Sequence, residues 1–102
     1  MGIDLRWEDE RGEQLAELRD PGFLVARFLP AYDSRDFSCL RFVDPAGDTV
    51  FNQAQIAELV FELERVSAKR HEPGVETHLR AVLEFVRQAV GKTHTYIKFY
   101  GD

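Results

Sequence analysis

The stretch from Asn52 to Gly91, NQAQIAELVFELERVSAKRHEPGVETHLRAVLEFVRQAVG, decides the fold. Ile56, Leu59, Val60, Leu63, Val66 and Ser67 recur at the spacing of one helical face. Asn52 stands where a helix needs a side-chain acceptor for its first free N–H groups, so the spacing predicts a helix over 53–70. His71-Glu72-Pro73-Gly74 interrupts it. Val75, Leu79, Val82, Leu83, Phe85, Val86 and Val90 then form a second apolar face over 75–90, with Gly91 suited to end it. Glu76, Arg80 and Glu84 alternate in sign one turn apart, which supports the same helix. Two amphipathic helices joined by so short a break fold back as an antiparallel pair. Their apolar faces then need a further layer to cover them.

That layer is legible on both sides. Toward the C-terminus, Thr95, Ile97 and Phe99 alternate with His94, Tyr96, Lys98 and Tyr100, which marks a half-buried strand over 93–100. Toward the N-terminus, Phe37 to Val43 is rich in strand formers and reads as a central strand. Asp44-Pro45-Ala46-Gly47 is a turn, and Asp48 to Phe51 a short returning strand. Asp20-Pro21 looks like a helix start, predicting a short buried helix up to Leu29 that Pro30 stops. Ile3, Leu5 and Trp7 alternate with Asp4, Arg6 and Glu8 as a first strand. A turn at Asp9-Glu10-Arg11-Gly12 leads to a second strand over 13–19 whose inward set is Gln14, Ala16 and Leu18. The whole is a single α+β domain over 1–102, in the order ββ-α-β(β)-α-α-β. A small mixed or mainly antiparallel sheet carries the helix pair on one face.

Composition excludes several classes of function. With 102 residues, 44% hydrophobic and 30% charged, the chain can bury one core without disulfides or a metal. No apolar run approaches the roughly 20 residues of a membrane span. The acidic start MGIDLRWEDE lacks the order of a secretory signal, so a cytoplasmic protein is expected. The lone Cys39, in the apolar run FSCLRF, forms no internal disulfide and reads as a small buried hydrophobe rather than a nucleophile. A net charge of −5 argues against nucleic acid, which needs cations to neutralise phosphate. The charge is uneven. Residues 1–20 and 21–64 each hold seven acids and three bases, and 65–102 hold four acids and seven bases. Such asymmetry steers partners of opposite potential.

Motifs for established chemistries are missing. There is no GxSxG, no phosphate-binding glycine loop and no HExxH, and His71, His78 and His94 show no ligand spacing. No metal or cofactor is expected. Two segments still concentrate polar chemistry. Asp44, Asp48 and Asn52, with Thr49, crowd a turn beside a helix start; the simplest reading is a capped turn followed by a helix cap. His94, Tyr96 and Lys98 share a strand face suited to binding an anion or moving a proton, or to being an ordinary polar sheet face. An enzyme or ligand-binding domain would require these two sets to converge.

The strings DPAGDTVFNQAQ (44–55) and HTYIKFYGD (94–102) resemble stretches of the form DxxGDTxFN and HxYxKFxGD in a group of short bacterial proteins of no established activity. The resemblance covers about a fifth of the chain. It implies a stand-alone bacterial cytoplasmic protein and carries over no functional residue.

The leading expectation is therefore a non-enzymatic, acidic protein-binding module, with an immunity-like inhibitor of a basic partner as its concrete form. Expected contacts are Glu8, Asp9, Glu10 and Glu13 in the first hairpin, and Glu58, Phe61 and Glu62 on the long helix. Phe61 lies off the main apolar stripe, so either a neighbouring element covers it or it is an exposed anchor. Self-association through a sheet edge, giving a homodimer, is a related expectation.

Overall fold

The structure, a computed structural model, describes residues 2–101. Four strands form one sheet: β1 (Asp4–Asp9), β2 (Gln14–Leu18), β3 (Asp48–Phe51) and β4 (Thr95–Tyr100), in the order β2-β1-β4-β3. Every neighbouring pair is antiparallel. Two helices, α1 (Gln53–Ser67) and α2 (Pro73–Arg87), pack against each other over one face. The architecture is the expected α+β, with β4 paired on both sides although it comes last in the chain.

Alternation sets which side of the sheet is covered. On β4, Thr95, Ile97 and Phe99 are buried while Tyr96, Lys98 and Tyr100 stay half-exposed. Leu5 lies opposite Phe99 and Trp7 opposite Ile97, so β1 and β4 present one continuous apolar face. Phe51 meets the Phe99 ring edge-on at 5.7 Å. On β2, Ala16 and Leu18 stand opposite Trp7 and Leu5 on the expected inward side, but a bulge shifts the register between Trp7 and Glu8, so Gln14 stands opposite Glu8 on the outer face rather than inward, and Leu15 is exposed. Ile56, Leu59, Leu63 and Val66 of α1 and Val75, Leu79, Val82, Leu83 and Val86 of α2 complete the core. Asn52 and Gln55 form a reciprocal capping box at the start of α1.

Two segments depart from the sequence reading. Phe37 to Val43 is not a strand; it contains only a 3-10 turn at Leu40–Phe42. The reason is Glu62, which α1 places fully inside the protein. Its carboxylate accepts the backbone N–H groups of Ser38 (2.8 Å), Cys39 (3.0 Å) and Leu40 (2.9 Å), and the Ser38 hydroxyl at 3.0 Å. Three successive amides turned to one side cannot alternate into a ladder. The short helix expected over 21–29 shrinks to a 3-10 turn at Val25–Arg27. Gly22 and Phe23 both take left-handed φ (76° and 62°), which breaks a right-handed helix at its first turn. Asp20 does cap this segment, as its position suggests, by accepting from Leu24 (2.8 Å) and Val25 (3.2 Å). It also accepts from Ile3 of the incoming chain at 2.9 Å.

Both helices end a turn earlier than periodicity predicts, at Ser67 and Arg87, and α2 starts at Pro73. Replacing Glu62 with Gln keeps its size but leaves one oxygen for four donors. The expected loss is about 2–4 kcal/mol of unfolding free energy, read by urea denaturation, and Glu62→Ala loses more.

Candidate functional site

The sheet places the two polar segments at opposite ends of β4. Asp48 lies opposite Tyr100, whereas His94 precedes Thr95 at the other end. Six residues of strand separate the two positions, roughly 20 Å. Lys98 sits between them, opposite Arg6 on one side and Val50 on the other. Asp44 and Asp48 therefore do not meet His94 and Tyr96, and the composite pocket considered from the sequence does not assemble.

The 44–52 segment spends most of its polar groups on its own geometry. Asp44 Oδ1 accepts from Ala46 N at 2.9 Å, and Gly47 N donates to the Asp44 carbonyl. Thr49 Oγ1 accepts from Asp44 N at 3.0 Å and reaches the Phe42 carbonyl at 3.5 Å. Asn52 is the helix cap. Gly101 N donates to the Gly47 carbonyl at 2.7 Å, and a Cβ on Gly101 would land on the Asp44 and Pro45 backbone. The 44–47 turn and the end of β4 are thus one packed unit, with the turn seated against Gly101 and β3 paired along β4.

Asn52, His94 and Tyr96 do share a shallow cleft of about 330 Å³, together with Gln53, Ala54 and Thr95. His94 takes a left-handed φ of 59°, its N–H donates to Gln53 Oε1 at 3.3 Å, and its Nδ1 lies 3.4 Å from Glu10 Oε2. This contact ties the tip of the β1–β2 hairpin to the first turn of α1.

The outer face of the sheet is a mesh of satisfied groups. Tyr100 lies along it, donating its hydroxyl to Glu8 at 2.7 Å, with the Arg6 guanidinium 4.2 Å and the Lys98 ammonium 4.5 Å from its ring. Interaction with the Tyr100 hydroxyl raises Lys98 above its ordinary range. Arg6 also bonds Glu17 at 3.2 Å.

The residues expected to meet a partner divide into two groups. Glu62 is a correction: it is fully buried on the core side of α1, occupied by the 38–40 backbone, and cannot serve as a surface contact. Its period along α1 put it on an acidic flank, and nothing local in the sequence marks a carboxylate as an internal cap. Glu8 is held by Tyr100, and Asp9 by the hairpin turn, where it accepts from Arg11 N and Glu13 N at 2.9 Å each. Glu10, Glu13, Glu58 and Phe61 are exposed. Phe61 is 54% exposed, which decides in favour of a surface aromatic over a covered core edge. The Arg65 guanidinium lies 6.0 Å from its ring.

Sequence reading missed Asp20 and His78 as a buried pair. Asp20 is interior, and His78 Nε2 lies 3.4 Å from its Oδ1, within ion-pair range but without hydrogen-bond geometry. Cys39 is interior, as expected. Burial pushes its thiol up to about 11, and the nearby charges of Glu62 and Glu58 add to the effect. Among the described residues no three of His, Cys, Asp and Glu converge to hold a metal ion, and no helix is long and apolar enough to cross a membrane.

Comparison with protein-family models, with curated proteins and with solved structures finds no match to this chain.

Two outcomes test this geometry. Gly101→Ala should cost about 1–3 kcal/mol of stability through overpacking against the 44–45 backbone, read by thermal melting, while Asp48→Ala stays near wild type. Native Cys39 should resist alkylation at neutral pH and react only on unfolding. A thiol raised in the folded state stabilises fully below its unfolded value of 9.0, and that contribution is lost as pH climbs toward about 11. Cys39→Ser should lack this alkaline component in stability measured against pH.

Proposed function

We propose that the chain is a non-enzymatic, acidic protein-binding module whose contact face is the outer strip of α1 together with the adjoining hairpin tip. The observation that carries this reading is Phe61, a large apolar side chain left open at the middle of the solvent face of α1. Ala54, Ala57 and Phe61 follow one another along that exposed face, with Glu58 beside them. Gln53, at the head of the same helix, touches His94, which touches Glu10. An aromatic anchor on flat small residues, with Glu58 beside it and the Arg65 guanidinium 6.0 Å from its ring, is the arrangement of an interface centre with a charged rim. The distance along α1 from Gln53 to Phe61 is roughly 12 Å.

The partner is a basic protein, and the immunity-like form of the reading is that docking covers the partner's functional surface. Support comes from the net charge of −5 and from the separation of Asp44 and Asp48 from His94 and Tyr96, which share their cleft with Asn52 alone of that turn. Those groups do not offer a nucleophile, base and anion hole within reach of one substrate.

The test uses capture from the source cell on immobilised wild-type protein, followed by titration of the recovered partner. Phe61→Ala should weaken binding by about 10- to 100-fold with an unchanged melting profile. The pair Glu10→Arg and Glu58→Arg should chiefly slow association, and the wild-type rate should fall as salt is raised. Retention of full affinity by both variants would contradict the proposal.

A further inference from the structure

We infer that the groove between the 26–32 segment and the 41–45 loop is a binding site for a small amphiphilic carboxylate, an acid with one anionic end and an apolar chain. The site shares no residue with the strip on α1 and does not depend on the reading of that strip.

The groove has a volume of about 490 Å³, within the range of small-molecule sites. Two of its lining side chains, Leu29 and Val43, also pack in the hydrophobic core, so it reaches down to apolar interior. Pro30 and Pro45 line it from the two chain segments. Each proline fixes its own φ, so these walls are set before a ligand arrives. Neither has an N–H to give, and the Ala31 carbonyl already accepts from Ser34 N at 2.9 Å. Such walls suit a hydrocarbon chain and offer little to the main chain of a peptide. Tyr32 also lines the groove and is 81% exposed, an aromatic left in water that a bound chain would cover.

Arg41 is the one charged residue among those lining the groove. Its Nη1 donates to the Tyr32 carbonyl at 3.2 Å, and the centre of its guanidinium lies 4.2 Å from the Phe42 ring centroid. Among the described residues its contacts are thus a carbonyl and a ring, not a carboxylate. Stacking uses the face of a guanidinium and leaves its in-plane donors, which match the two oxygens of a carboxylate. Asp44, beside Pro45 in sequence, is committed to its own turn, where Oδ1 accepts from Ala46 N at 2.9 Å. A single cation in a chain of net charge −5 selects a singly charged ligand. A phosphate ester would bring a second negative charge with nothing in the lining to offset it.

Calorimetric titration of the full chain with hexanoate, octanoate and decanoate tests the inference, with 1-octanol and octyl phosphate for comparison. The dissociation constant should fall about two- to fourfold for each added methylene, because each leaves water for the groove. Octanoate should bind at least about tenfold tighter than 1-octanol, and tighter than octyl phosphate. Arg41→Gln should bring octanoate down to the level of the alcohol and leave the alcohol unchanged. Ala26→Trp sets a large ring in the groove without touching the charge, and should abolish binding of both. Arg41 is half-buried and Ala26 exposed, so melting curves should stay near wild type. Absence of saturable binding of decanoate up to about 5 mM overturns the inference, as do equal affinities for acid and alcohol or full affinity in Arg41→Gln. A peptide with an apolar C-terminal residue that binds more tightly than decanoate overturns the assignment to a free acid. Failure of the α1 partner reading would leave these results untouched.

Discussion

A fully buried carboxylate, Glu62, holds this structure together where regular secondary structure does not reach. Between β2 and β3 the chain runs through nearly thirty residues with only two single 3-10 turns. Backbone N–H groups in such a segment are costly to bury unless something accepts them. Glu62 accepts three in succession, plus a hydroxyl, and so draws Phe37, Cys39 and Leu40 onto the helix pair. Asp20 does the same at the other end of the connection, collecting Ile3, Leu24 and Val25. The two carboxylates act as internal caps that let an irregular strap serve as part of the core.

The same economy shapes what remains at the surface. Asp44, Thr49 and Asn52 look like a ligand set in one dimension and turn out to be the fastenings of a turn and a helix start. Lys98 and Tyr100, on the strand face suited to an anion, are instead engaged with each other and with Glu8 and Arg6 across β1 and β4. What remains open includes Tyr32, Phe42 and, on the outer face of α1, Phe61 with Glu58 beside it. Surfaces of that kind recognise macromolecules by shape and charge, and the proposed docking role rests on that physics.

Much of the architecture could be read directly. The period of two in Thr95 to Tyr100 and in Leu5 to Trp7, and the period near 3.6 in Ile56 to Val66 and Leu79 to Val86, depend only on backbone geometry and on which side chains avoid water. Asn52, Gly47 and Pro73 punctuate the chain through local sterics and hydrogen bonding, so their roles also survive without tertiary context. These signals fixed the element types, the helix pair, the α+β class and the covered face of the sheet.

What the sequence left open involves contacts between residues far apart in the chain. Phe37 to Val43 has the composition of a strand, and only the arrival of Glu62 from 22 to 24 residues away turns its amides aside. Glu62 falls on the flank of α1 between core and solvent, and its pattern is that of a surface acid until the strap closes over it. The fate of Phe61 rested on whether any element crosses the outer face of α1, and the distance from Asp48 to His94 rested on which end of β4 each strand meets. By itself the sequence determined β1, β4 and the two helices with their inward faces, because those follow from local geometry and hydrophobicity. Tertiary structure alone decided which carboxylates became internal caps and which side chains stayed free to meet a partner, because a polar group's role depends on the donors that distant chain brings to it.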